Sequence, residues 1–546
     1  MTVLEASNSF GGGAKSREAT LPGLIHDECS GFHPLAIDTP FSRQFDLSAH
    51  GLVWAWPEAQ YAHPLDNGKG AAVWQSVERT AAALGADGAS YRRIFGSLDR
   101  RFDKISAEFL QSMLHVPQHP LAMARFGAYA APPATLLARR WRQEETRALY
   151  AGVAAHAFRP LDSIMSSAIG VALGTAAHHY GWPVAVGGST SITTAVAQLL
   201  ASYGGRIETG ITVSNYREVA DADVVMLDTS PSAAAHILRD NLSERVDRAY
   251  RRYQHGPAAF QVAFAVEGGI PWAHEPSRLA GTVHVGGTIA EIAAAERAIW
   301  AGRMPRRPFV LVGQQSLADP SRAHDDMHPV DAYAHVPSGW KGDATQLIID
   351  QIERFAPGFA TRVRMSTVRS AVDIERDNTN YVGGDIVTGA NTPWQLVFRP
   401  RPATNPYETG IAGVYLCSAA TPPGAGAHAG LWPLSNEPSE LPSYSTPRRL
   451  CANLTGRPKP VVRGLSRSCG WCWRLSGSRP FDPPRTGGAS NFHRPIKSQV
   501  RAATKQRDPA RLALCYPRTR RTSWPVVEGR SPTILSASPT APPVGP

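Results

Sequence analysis

The sequence predicts an α/β fold over most of its length: one parallel α/β domain, interrupted twice by a second domain of mixed α+β character and followed by a disordered tail. Three observations predict it. Short β-branched runs pass into glycine turns at three places far apart in the chain, two intervals of different rhythm separate them, and all periodicity stops after about Gly430.

The first such place is "TVLEA" followed by "FGGGAKS", a strand and a glycine turn within residues 1–40. Residues 41–180 then read as mainly helical, with patterns such as "LARRWRQEETRALYAGVAAHAF". In residues 181–240 the run "VAVGGSTSITTAVAQLLASYGGRIETGITVSNY" gives a glycine doublet, a helix and a strand. That helix carries Ile192, Val196, Leu199 and Leu200 on its apolar face, Ser189 or Thr190 as N-cap, and Gly204 and Gly205 as its stop. "ADVVMLDTSP" adds a further strand. Residues 241–380 are mixed: "AAFQVAFAVEG", "GTVHVGG" and "PFVLVGQQ" read as strands, "TIAEIAAAERAIWAGR" and "ATQLIIDQIERFAP" as helices. The third place, in residues 381–430, is "GVYLCSAATPPGAG", again a strand running into a glycine loop. No long structureless loop is needed.

Charge and cysteine divide the chain in the same way. The net charge of +11 is concentrated at one end, since Leu441 to Pro546 holds 19 of the 56 basic residues and 3 of the 45 acidic ones. The body is therefore mildly acidic. Only Cys29 and Cys417 lie in the body, which fits a reducing compartment rather than a disulfide framework. No signal peptide is evident, and the longest apolar run, "IMSSAIGVALGTAA", falls short of the ~20 residues a spanning helix needs. A cytoplasmic protein is expected.

Residues 431–546 carry abundant proline and scattered Arg, Ser, Trp and Cys, which gives them no core to bury. This composition fits three readings: a frame-shifted product of GC-rich DNA, a disordered extension, and a basic arm for nucleic acid. The last is disfavoured, because aromatic and basic residues do not interleave. Cys469 and Cys472 form a lone C-x-x-C without a second pair, too little for a zinc or redox site.

Glu5 at the end of the first strand is what a dinucleotide-binding domain offers to an adenosine ribose, its carboxylate accepting from both hydroxyls. Gly11, Gly12 and Gly13 let backbone N–H groups approach a pyrophosphate, with Lys15 nearby to complement its charge. On these residues, "VLEASNSFGGGAKSREATLPGLIHDECSGFHPL" resembles the second strand and glycine motif of FAD-dependent oxidoreductases of the phytoene desaturase (carotenoid/retinoid oxidoreductase) type. "GWPVAVGGSTSITTAVAQLLASYGGRIETGITV" is similar to that family's second flavin-domain segment. "NYVGGDIVTGANTPWQLVFRPRPATNPYETGIAGVYLCSAATPPGAGAHAG" is similar to its C-terminal one. Three matches in the family's order, from near the first residue to about Gly430, make the resemblance specific.

The resemblance implies a Rossmann-like FAD-binding domain, FAD as cofactor, and hydride transfer from an apolar, isoprenoid-type small molecule to the flavin. It implies that Glu5 holds the ribose, that Gly11, Gly12 and Lys15, with Gly13 among the cofactor-binding residues, lie along the pyrophosphate or the nearby flavin, and that Val213 meets the adenine region through its backbone. Pro423, Gly424, Ala425 and Gly426 would run beside the isoalloxazine or ribityl chain. Trp272, His284, Tyr333, His335 and Trp340, in segments similar to the family's, become candidates for lining the substrate site, against the plainer expectation that such residues pack in a core. His26, His33 and His156 rank no higher, adjacent His178 and His179 lack metal-ligand spacing, and no metal is expected. A lipid-like substrate would add a peripheral membrane contact, and the family's eukaryotic branch would place the protein in the mitochondrial matrix.

The sequence departs from the family twice. Members open with a strand and a G-x-G-x-x-G turn ahead of the acidic residue, and continue past the glycine loop into a further helix. Neither is recognisable here, so the Rossmann-like FAD-binding domain is expected to be incomplete, and a truncated, frame-shifted member of the family with impaired catalysis is the alternative function.

Overall fold

Residues 1–426 are described in this computed structural model, and the tail expected at 431–546, with Cys469 and Cys472, lies outside them. In chain order the first strands are β1 (Thr2–Glu5), β2 (Ser16–Glu18), β3 (Ile25–Asp27), β4 (Trp54–Ala55), β5 (Ala59–Pro64), β6 (Gly70–Val73) and β7 (Val184–Ala185). After them come β8 (Arg206–Thr209), β9 (Val225–Leu227), β10 (Ala258–Glu267), β11 (Ala280–Val285), β12 (Val310–Gly313), β13 (Met327–Val336), β14 (Val363–Arg369) and β15 (Val414–Leu416).

Seven of these strands form one sheet in the order β14-β10-β13-β12-β11-β5-β6. All neighbours are antiparallel except β11 and β5, which run parallel with Ala280 opposite Ala59. Side chains alternate across it as the pleat requires. On β12, Val310 and Val312 pack with Phe260, Val283, Ile348 and Phe355 on one face, where the helix Thr345–Phe355 lies. Leu311 joins Tyr61, Phe95, Trp141 and Leu149 on the other, under the helices Gly88–Asp99, Glu144–Ala154 and Ser167–His179.

Residues 41–180 are thus less purely helical than expected, because β5 and β6 contribute to this sheet. All six residues of β5 are buried. A strand covered on both faces loses the polar–apolar alternation that would betray it. β13 and β14 also escape sequence patterning; Asp331, His328 and Pro329 interrupt β13 with polar and turn-forming types, and β14 is an edge strand with several exposed residues.

The α/β part is built from two separate parallel pairs. β1 pairs with β8, from Thr2 opposite Arg206 to Glu5 opposite Thr209, and β15 pairs with β9, Val414 opposite Val225. The helix Thr190–Ser202 joins β7 to β8, ending at Gly204, whose φ of 74° suits glycine. Its buried face is narrower than the periodicity implies: Ile192 and Ala195 are buried, but Val196 is exposed. Ser189 occupies the N-cap position, yet its side chain makes no cap hydrogen bond. It donates to Ser30 O and lies 3.0 Å from His33 Nε2 instead, so a tertiary contact has displaced the local one. No helix among the described residues is long and apolar enough to cross a membrane.

Candidate functional site

The glycine turn after β1 is shaped by its neighbours as much as by its own dihedrals. Gly11 and Gly12 have φ of 117° and 54°, and Gly12 faces open space where a side chain would stand. Gly13 is different. A Cβ there would lie 2.0 Å from the Tyr381 hydroxyl, which also reaches Cys29. Burial pushes the Cys29 thiol up, opposed by the Tyr381 hydrogen bond and the charge of Arg369. Lys15 begins the β2–β3 hairpin, its carbonyl accepting from Glu28 N at 2.8 Å.

Glu5, at the end of β1, accepts from Ser7 N at 2.7 Å. Across from it, just beyond β9, Asp228 has its carboxyl raised, first by the protein packed around it and then by the charge of Glu5. The two acidic residues therefore stand near one another at the carboxyl ends of parallel strands, where α/β folds place their ligands. Val213 packs half-buried against the β9–β15 core of Val225, Leu227 and Leu416. Gly424 has φ of 114° and its N–H donates to Thr421 O at 2.9 Å, while Pro422–Pro423 is cis. Ala425 and Gly426 follow at the end of the described chain.

Between the β2–β3 hairpin and the large sheet lies a small cleft, partly open to solvent. Arg17, His26 and Cys29 line it from the hairpin side, Gln261, Tyr333 and Arg369 from the sheet. Arg369 donates to Glu28 O at 2.7 Å and to Gln261 Oε1 at 3.1 Å, and so ties the two walls together. His26 Nδ1 meets Asp331 Oδ1 at 2.7 Å.

Behind this wall a buried ionic knot binds segments remote in sequence. Arg322, with no exposed surface, contacts Asp27 Oδ2 at 2.5 Å and Asp319 Oδ2 at 3.0 Å, and donates to Ala185 O at 2.7 Å. Asp27 Oδ1 accepts from Ser16 Oγ at 2.6 Å and from Ser189 N at 2.8 Å. Asp319 Oδ2 accepts from Gly187 N at 2.7 Å. Burial opposes charge on Arg322, but the two carboxylates raise it above its ordinary value. Against its own burial, Asp319 is held low by donation from Ser321, Gly187 and Arg322.

Of the five candidate lining residues, only Tyr333 borders the cleft, and burial pushes its phenol up. Trp272 belongs to the core on the opposite face of the sheet, its Nε1 donating to Gln314 Oε1 at 3.1 Å, and Trp340 packs edge-on to Phe260 in the same core. Neither borders the cleft, because aromatic side chains in a sheet covered on both faces serve packing first. His284 and His335 lie deeper on the Tyr333 face. His284 Nε2 is 2.8 Å from His156 Nε2, and burial drives both imidazoles well below their ordinary pKa, His156 to about 3. His335 Nδ1 meets Glu296 Oε1 at 2.8 Å, and its ring stacks on Phe158 at 3.8 Å. His178 and His179 are structural, the first bonded to Tyr91 Oη at 2.8 Å, the second bridging Asp99 and Asp103. Among the described residues no group of three His, Cys, Asp or Glu is placed to hold a metal ion.

Sequence reasoning passed over Arg17, Gln261, Arg369 and Tyr381, whose types and spacing carry no local signal. Cys29 and Asp27 stood inside "HDECSGF", part of the stretch that bears the resemblance, without being singled out.

No family profile matches the chain. It is 31% identical over 138 residues to pyridine nucleotide-disulfide oxidoreductase domain-containing protein 2 of Rattus norvegicus, a match covering 23% of this chain and 24% of the rat protein. The Mus musculus protein of the same name is 30% identical over 138 residues. The chain thus spans about a quarter of the length of these curated relatives. Among solved structures it is similar to an oxidoreductase from Methanosarcina mazei, with a TM-score of 0.50, 14% identity, and coverage of 79% of this chain and 93% of the other. At that identity the likeness is one of fold: the described chain has the mixed α/β architecture, with its large mixed sheet, of that oxidoreductase.

Proposed function

We propose that the chain is an FAD-dependent oxidoreductase that takes hydride from an apolar small molecule, with the isoprenoid class implied by the phytoene desaturase resemblance. What supports this reading is that Glu5 and the Gly11–Gly13 turn follow the carboxyl end of the parallel strand β1, that Asp228 beyond β9 of the second parallel pair lies close enough to feel the charge of Glu5, and that Gly13 adjoins Cys29, which lines the cleft against the large sheet.

The residues present fit such a cofactor. Gly12 leaves its backbone approachable, and Glu5 uses one carboxylate oxygen on Ser7, leaving the other for a ribose hydroxyl. Lys15 would complement the pyrophosphate, Val213 would border the adenine, and Pro423 to Gly426 would flank the ring or ribityl chain. When bound, FAD supplies two-electron acceptance from a substrate C–H. The chain's own part is to orient and to exclude water: Phe32, Leu311 and Tyr333 offer apolar surface in the cleft, and Arg369 fixes the distance between its walls.

Titrating the purified chain with FAD tests this directly. Saturable quenching of flavin fluorescence is expected, weakened at least tenfold by Glu5→Gln. Absence of any saturable quenching would remove the reading.

A further inference from the structure

Two buried arginines stand apart from the cleft and from the knot around Arg322. Arg159 is 5% exposed and Arg399 is 4% exposed, and neither forms an ion pair among the described residues. Both are fastened to Asn391. Arg159 Nη1 donates to Asn391 O at 2.6 Å, Arg399 Nη2 donates to Asn391 Oδ1 at 2.9 Å, and Asn391 Nδ2 donates back to Ala157 O at 3.1 Å. Arg399 Nε is taken by Gln395 O at 3.1 Å.

What remains unused is specific. Arg159 Nε is buried without a partner, and Nη2 beside it has none either, so the side-on edge of that guanidinium is uncommitted. Arg399 Nη1 is turned to the glycine loop, where a Cβ on Gly424 would come within 2.7 Å of it. Asp385, itself fully buried, pairs with neither arginine; it accepts from Gly256 N at 2.7 Å, Gly389 N at 2.8 Å and Val387 N at 3.0 Å, with His255 Nδ1 at 3.6 Å. Phe158, directly before Arg159, is held at φ 51°, a left-handed conformation costly for a bulky side chain and typical of functional sites.

A buried charge without a counter-charge is strongly disfavoured, and proteins keep one where a ligand supplies the balance. We propose that Arg159 and Arg399, converging on Asn391 beside the Gly424 loop, form a binding site for the carboxylate of an organic acid. The free Nε/Nη2 edge of Arg159 matches the two oxygens of a planar carboxylate, and Arg399 Nη1 adds a second positive donor. The site goes beyond the flavin reading and stands whether or not FAD binds.

Thermal unfolding of the full chain tests it, with sodium benzoate as the probe and sodium phosphate and sodium chloride at equal ionic strength as separate arms. Benzoate is expected to raise the melting temperature saturably at millimolar concentration. The shift disappears in Arg159→Met, needs at least tenfold more benzoate in Arg159→Lys, which keeps the charge but loses the fork, and is unchanged in the exposed control Arg376→Gln. Without benzoate, Arg159→Met melts no lower than the parent, because it removes an uncompensated charge. An equal benzoate shift in Arg159→Met or in Arg159→Lys, or a shift with phosphate alone, overturns the proposal. So does a benzoate-free Arg159→Met that melts several degrees lower, since the guanidinium would then be a structural tie.

Discussion

Gly13 leaves room for one thing, the Tyr381 hydroxyl. A methyl group at that position would stand 2.0 Å from Tyr381 Oη but 3.3 Å from Tyr381 Cζ. Gly13→Ala is therefore expected to cost about 1–3 kcal/mol by overpacking. Tyr381→Phe in the same chain should recover most of that loss, because it deletes the clashing atom and leaves the ring. A urea-unfolding cycle over the four proteins measures the coupling, and additive losses would show that the two residues do not share the space. The sequence reading singled out Gly13 for an approach to phosphate, on glycine chemistry alone. Its actual neighbour comes from more than 360 residues away, and nothing in the type or spacing of either residue announces it.

At the scale of elements, every strand of the two parallel pairs keeps one edge without a neighbouring strand among the described residues. Their exposed apolar side chains lie alongside: Leu4 on β1 is 37% exposed, Met226 on β9 is 42%, and Val224 just before β9 is 49%. Open edges with apolar flanks template pairing with other chains. Met226→Lys should lower the apparent mass seen by light scattering at high protein concentration, whereas a control lysine at exposed Leu121, far from any strand edge, should not. The helix Thr190–Ser202 was readable because glycine breaks and apolar spacing bracket it, and β10, β11 and β12 because apolar and β-branched residues dominate them. β5 and β13 were not. Both sit inside the sheet, where burial on two faces or a polar insertion such as Asp331 replaces the alternation that marks a half-exposed strand.

Across the whole molecule, stability should depend on pH through its buried imidazoles. His33, His63 and His178 are each depressed to about 4, in every case chiefly by burial. Unfolded histidines titrate near 6.5. Below that value the unfolded chain binds protons the folded one refuses, so stability is full above about pH 6.5 and falls as pH drops toward 4. Each such histidine withholds about 1.4 kcal/mol per pH unit in that window. The urea midpoint at pH 5 is expected well below that at pH 7. A flat profile between them would mean that these rings are solvated. The general architecture was legible because three glycine-bearing stretches share one order and one rhythm. The cleft was less so, since its walls are assembled from chain segments that meet only in three dimensions.

The knot around Arg322 also sets a clock. Asp27 must wait for Arg322, which lies 295 residues further along, and β1 must wait for β8. At synthesis rates of about 5–20 residues per second, the Asp27 side chain remains without its counter-charge for roughly 15–60 s after it is made. For about two-thirds of that time β1 also lacks its native partner β8. How much correctly folded protein accumulates should therefore depend on the speed of translation and on the chaperones that meet the nascent chain, as well as on the stability of the finished fold.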